Sequence, residues 1–142
     1  MPGQNLPLTL DSEKQMKFSN KLIGLVDDEQ VFHWIADKFI EKINHGLKSI
    51  SLYDGNEALE YLSDPNNEVP DILFLDLNMP IANGWKFLDE FASLKQDLPK
   101  EIDIYIVSSS IDPEDHKKAK SYSYVRQFIS KPLTQQTIES VL

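Results

Sequence analysis

Five side chains able to act in concert each close an apolar or mixed run: Asp27 and Asp28 follow residues 22–26, Asp76 follows 72–75, Ser108 follows 102–107 and Lys131 follows 125–130. Three carboxylates brought together in a partly dry cleft repel one another and take up protons unless a cation compensates, so Asp27, Asp28 and Asp76 ask for a metal. The candidate ligands offer oxygen only, without histidine or thiolate. That set suits magnesium, which keeps several waters and binds through one or two carboxylates plus a phosphate, and it disfavours zinc. An aspartate carboxylate can also act as the nucleophile of phosphoryl transfer, a reaction that rests mostly on positioning and charge neutralisation. Lys131 would supply a second positive charge.

These residues meet only if the runs they close are strands that surface along one edge of a sheet. Residues 22–26 and 72–75 are continuously apolar and then turn abruptly acidic, as strands buried on both faces do where they emerge. Residues 50–53, 102–107 and 125–130 read as three further strands. Between them lie helical patterns. Val31, Ile35, Phe39 and Ile43 recur at four-residue spacing with Phe32 and Ala36 alongside, and Gly46 stops that helix. Asp54 with Glu57 forms a variant capping box for a second helix that closes at Asp64 and Pro65. After a loop with Pro80, Asn83 and Gly84, residues Trp85, Leu88, Phe91 and Leu94 mark a third. Asp112 is placed to cap a polar fourth helix, with Pro113 at its first position and Glu114 and Asp115 in its first turn. Thr134 caps a last helix bearing Ile138, Val141 and Leu142. Strands alternating with helices in this way predict an α/β, doubly wound parallel sheet with helices on both faces, whose ligands bind beyond the C-terminal ends of the strands.

The chain of 142 residues has 41% hydrophobic and 26% charged residues, the balance of one globular domain. With 23 acidic and 14 basic residues it carries a net charge of −9, which repels nucleic acid and anionic lipid. It lacks cysteine, so disulfides and thiolate chemistry are excluded and a reducing, cytoplasmic setting is expected. Residues 1–20 contain Pro2 and Pro7, show no sustained period and have no export-signal pattern, which predicts a flexible lead before a domain at 21–142. No segment reads as membrane-spanning. His33, His45 and His116 share no ligand spacing and are expected on surfaces or helix ends. Trp34, Trp85 and Phe91 read as core or near-core aromatics, and Lys117, Lys118 and Lys120 as a solvated helix face. Ser109 and Ser110 stay open between turn residues and members of the site.

The segments Val26-Asp27-Asp28, Phe74-Leu75-Asp76-Leu77-Asn78-Met79-Pro80, Val107-Ser108-Ser109 and Ile129-Ser130-Lys131-Pro132 together resemble the receiver domain of two-component response regulators. The match runs from about Lys21 to the C-terminus and is closest in kind to the stand-alone type, such as the chemotaxis response regulator. The resemblance implies a five-stranded flavodoxin-like sheet in the order 2-1-3-4-5 with five helices. It implies Asp76 as phosphoacceptor, Asp28 and Asp76 as direct ligands of Mg2+ or Mn2+, Asp27 as a ligand directly or through water, and Asn78 as a ligand through its backbone carbonyl. By the same likeness Lys131 contacts the phosphoryl oxygens, Ser108 hydrogen-bonds to them, Phe128 is the switch aromatic, and Pro132 follows a cis peptide bond. Asn83 stands where the family more often has aspartate before the glycine. The implied partners are a sensor histidine kinase or histidine phosphotransfer protein and an unknown downstream protein, with output through that partner, no direct nucleic acid or membrane contact, and a monomer or weak dimer. The domain would catalyse only its own phosphorylation and dephosphorylation.

Three other readings compete. An aspartate-nucleophile phosphatase normally needs a second aspartate two residues on, where this chain has Asn78. A flavin-binding carrier needs a phosphate loop after the first strand, where Asp27, Asp28 and Glu29 would repel the phosphate. A receiver-like adaptor that is never phosphorylated would not need every chemical position filled.

Overall fold

A computed structural model describes residues 21–44, 46–80 and 83–142, so the expected lead at 1–20 and His45 lie outside the described residues. Strands and helices alternate: β1 Leu22–Val26, α1 Gln30–Ile43, β2 Lys48–Leu52, α2 Gly55–Ser63, β3 Ile72–Leu75, α3 Gly84–Leu94, β4 Asp103–Ser108, α4 Pro113–Lys120, β5 Val125–Ser130 and α5 Gln135–Val141. The strands form one parallel sheet in the order β2-β1-β3-β4-β5, the doubly wound, flavodoxin-like arrangement. Strand order reverses between β1 and β3, and the crevice outside their C-terminal ends is where such a sheet binds ligands.

Every residue of β1 and β3 is buried, which is why both read as unbroken apolar runs. Their side chains alternate between two cores. Leu73 and Leu75 join Val26, Ile104 and Ile106 under α2 and α3, where Leu62, Phe87, Leu88 and Phe91 pack. Ile72 and Phe74 join Ile23, Leu25 and Val107 under α1 and α5, where Ala36, Ile40, Ile43 and Ile138 pack. Each such buried side chain contributes roughly 1.5–3 kcal/mol, so the central strands hold their C-terminal residues on a rigid base.

Local capping agrees with the sequence. Asp54 accepts from the Glu57 N–H at 2.8 Å, while the Glu57 carboxylate reaches back to the Tyr53 N–H at 3.1 Å. Asp112 accepts from the Glu114 N–H at 3.0 Å and Thr134 from the Thr137 N–H at 3.1 Å. Asn83 is the N-cap of α3, accepting from the Lys86 N–H at 3.0 Å, so its amide fills the capping role that aspartate fills elsewhere.

Several expectations are corrected. The buried face of α1 is His33, Ala36, Ile40 and Ile43, a spacing of three and four, whereas Val31 and Ile35 are exposed. A strict four-residue step drifts around the helix, because four residues exceed one 3.6-residue turn. Trp34 is not a core residue but 62% exposed, Trp85 is half-buried and Phe91 buried. His33 is not at the surface but 1% exposed. α1 ends at Ile43, before Gly46. β2 starts two residues earlier than expected, β4 is displaced by one, and a 3-10 turn at Lys95–Asp97 follows α3. Among the described residues no helix is long and apolar enough to cross a membrane.

Candidate functional site

Asp27 leaves β1 fully buried and is held on every side. Its N–H donates to Leu52 O at 3.1 Å, its Oδ1 accepts from the Glu29 N–H at 2.9 Å, and its Oδ2 accepts from Lys131 Nζ at 3.0 Å. Asp76 leaves β3 with its N–H on Val26 O at 2.9 Å and is 4% exposed. Its Oδ1 accepts from the Asn78 N–H at 3.3 Å and lies 3.6 Å from Lys131 Nζ. Asp28 is exposed and closes the group from the solvent side. One carboxylate oxygen from each of Asp27, Asp28 and Asp76 lies within 4.8 Å of the others, and this is the one such cluster among the described residues.

Lys131 reaches the cluster from the end of β5. Its N–H donates to Ser108 O at 2.9 Å, its side chain passes over the Phe32 ring with Nζ 5.4 Å from the centroid, and its peptide bond to Pro132 is cis. Ser108 is fully buried at the end of β4, and its Oγ accepts from the Ser110 N–H at 3.1 Å. The Ser110 hydroxyl in turn donates to Asp115 at 2.6 Å, which ties this loop to α4. Ser109 and Asn78 are exposed. Phe128 stands apart from the carboxylates. It is half-buried on β5, and its ring stacks on His116 of α4 with centroids 3.8 Å apart. Lys117, Lys118 and Lys120 are all exposed, and the Lys118 Nζ also lies over the Trp85 ring at 4.6 Å.

The electrostatics are unbalanced in one direction. Burial pushes the Asp76 carboxyl above the ordinary range, and the nearby charge of Asp27 adds to this, against the smaller pull of Lys131 and the Asn78 N–H. Burial alone would lower Lys131, but its hydrogen bond to Asp27 and the charges of Asp27 and Asp76 outweigh it and hold the ammonium above the usual lysine range. The Lys131 ammonium pairs with Asp27 and Asp76, one positive charge in a cluster of three carboxylates. The donor set fits a hard divalent cation: it is all oxygen, convergent, short of positive charge and open to solvent at Asp28.

Two residues that matter here were not singled out by sequence. A Cβ on Gly84 would stand 2.6 Å from Asp76 O and 2.9 Å from Leu77 Cα, so only glycine lets α3 approach the Asp76 loop this closely. The Asn83-Gly84 pair was visible, but as a turn. The second is His33, whose Nε2 lies 2.8 Å from Asp27 O.

Residues 23–142 match the response regulator receiver domain family. The chain belongs to that family. The receiver domain is 30% identical over 99 residues to the "Regulator of RpoS" of Escherichia coli, a match covering 70% of this chain and 27% of that protein. It thus spans about a quarter of that relative's length. Among solved structures it is similar to a two component response regulator from Cytophaga hutchinsonii, with TM-score 0.71, 28% identity, and coverage of 85% of this chain and 92% of the other. It is also similar to the phosphorylated cyanobacterial phytochrome response regulator RcpA, with TM-score 0.70, 27% identity and coverage of 85% and 88%. The chain is thus a receiver domain of a response regulator in two-component signalling.

Proposed function

We propose that this receiver domain accepts a phosphoryl group on Asp76 from the phosphohistidine of a sensor histidine kinase or histidine phosphotransfer protein, and signals by changing a partner-binding surface. The observation that carries the reading is the placement of the buried Asp76 carboxylate, with Lys131 Nζ at 3.6 Å and two further carboxylates beside it. Such a site gains most when positive charge and phosphoryl oxygens arrive together. A carboxylate oxygen of Asp76 forms the new O–P bond as the donor's N–P bond breaks, and the freed imidazole keeps the electron pair. Lys131 neutralises charge that develops on the phosphoryl oxygens. Ser108 accepts from Ser110 through its oxygen and so retains its hydroxyl proton for donation to the new group.

Asp27, Asp28, Asp76 and the Asn78 backbone carbonyl would hold Mg2+ or Mn2+, which supplies the remaining charge neutralisation when bound. The likeness to a receiver solved in its phosphorylated form supports this reading. Exposed Val31, Trp34 and Ile35 on α1 make an apolar shelf beside a groove lined by Phe32, Lys131 and Pro132, which suits contact with a donor protein. The Phe128 ring, on β5 and stacked on His116 of α4, is the element through which a change at Ser108 reaches the outer surface. The absence of cysteine from the sequence supports a cytoplasmic setting.

The test is incubation with acetyl phosphate and Mg2+, read by intact mass. The expected result is one phosphoryl group per chain, absent in EDTA and absent in Asp76→Asn. Uptake that persists in Asp76→Asn would place the acceptor elsewhere.

A further inference from the structure

The residue behind the carboxylate cluster is His33, which is 1% exposed in the first turns of α1. Its Nε2 lies 2.8 Å from the main-chain oxygen of Asp27. A carbonyl oxygen only accepts, so Nε2 carries the proton and the ring is the donor. Among the described residues Nδ1 has no hydrogen-bond partner. A phenyl ring would fill this space without leaving a polar atom unpaired. The donation to Asp27 is therefore the one property that distinguishes histidine from an apolar residue at this position.

The ring is well placed to hold that bond rigidly. It packs against Tyr53, just after β2, with centroids 4.4 Å apart, and its edge meets Phe32 at 5.8 Å. Tyr53 is itself fixed, its N–H on the Glu57 carboxylate at 3.1 Å and its hydroxyl on Gln30 at 3.1 Å. The oxygen that His33 holds belongs to the peptide unit joining Asp27 to Asp28. That unit is planar, so fixing its oxygen also fixes the N–H and Cα of Asp28. Asp28 is exposed and has no buried packing of its own to orient it.

We infer that His33 is a positioning residue for the cation site: by donating to the Asp27 carbonyl it sets the peptide plane from which the Asp27 and Asp28 side chains both depart. The inference rests on the reading that these carboxylates bind a divalent cation. Outer partners of this kind act by orienting ligands, and removing one typically weakens metal binding by about 10–100-fold.

The test compares Mg2+ affinity, by calorimetric titration of the full chain, for wild type, His33→Phe and His33→Gln. Thermal denaturation of each metal-free protein shows separately whether the fold survives. His33→Phe keeps the ring and loses the donor; His33→Gln keeps an N–H donor of similar reach. The expected result is Mg2+ binding weakened about tenfold in His33→Phe, substantial recovery in His33→Gln, and a wild-type ring with its proton on Nε2 in a long-range 1H–15N spectrum. Unchanged affinity in a folded His33→Phe, equal loss in both folded variants, or a wild-type Nε2 that carries no proton would each overturn the inference. If wild type itself binds no Mg2+, the proposed function fails; if wild type binds and His33→Phe binds equally, only the role of His33 fails.

Discussion

Asp71 and Asp76 bracket the four residues of β3, one just before Ile72 and the other just after Leu75. At the N-terminal end, Asp71 accepts from the Leu22 N–H at 2.8 Å and from Lys100 Nζ at 2.9 Å, stapling the start of β1 to β3. Burial pushes its carboxyl up, but the Leu22 N–H and Lys100 outweigh this and hold it below the ordinary range. At the C-terminal end, Asp76 is pushed the other way by burial and by Asp27. The same residue type flanking one strand is thus favoured as an anion at one end and disfavoured as an anion at the other. The first arrangement serves folding. The second arrangement leaves the carboxyl short of compensating charge, which the proposed cation would supply.

The sharpest way to break this contrast is Gly84→Ala. The new methyl meets backbone atoms of Asp76 and Leu77 rather than a flexible side chain, so urea denaturation should show a loss of about 1–3 kcal/mol. Wild-type stability would mean that the Asp76 loop yields easily and that its charge is not confined.

Next is Asp71→Asn, expected to cost about 1 kcal/mol after allowing for partial exposure of the ion pair. Because the Asp71 carboxyl is lowered in the folded protein, its contribution is present above about pH 4 and fades as the pH falls through its folded value. The wild-type and variant stability curves should therefore converge in acid and separate at neutral pH, with wild type above.

The smallest effect carries the opposite sign. Asp76→Asn should stabilise the protein in EDTA by up to about 1 kcal/mol at neutral pH. The folded carboxyl is raised, so the advantage of its protonated form is complete below about pH 4 and is lost as the pH rises through the raised value. The two curves should again converge in acid, but with the variant above wild type at neutral pH. A variant less stable than wild type under those conditions would remove the distinction between the two ends of β3.

What could be read from sequence follows the same division. Central strands buried on both faces leave unbroken apolar runs, so β1 and β3, and with them Asp27, Asp28 and Asp76, were visible as runs ending in acid. Lys131 and Ser108 were found because they too directly follow or end strands. The α1 face was misread because its apolar residues outnumber the positions the sheet covers, leaving Val31, Trp34 and Ile35 in solvent. The burial of His33 is not legible in the sequence, because its partner is a main-chain oxygen, which has no residue type. The sequence shows Gly84 as a turn residue and hides its packing role, since the backbone it must clear belongs to Asp76 and Leu77, several residues upstream.

The open sheet has two margins, β2 and β5, each with a row of main-chain donors and acceptors facing away from its single neighbour. Lys48 on one and Arg126 on the other are exposed, and the serines of β2 and Gln127 of β5 keep both borders hydrophilic. A charged, polar border makes lateral zippering of one copy onto another unfavourable. The apolar strands β1 and β3, whose ends bear Asp27 and Asp76, thus lie inside a sheet bounded on both flanks by polar strands.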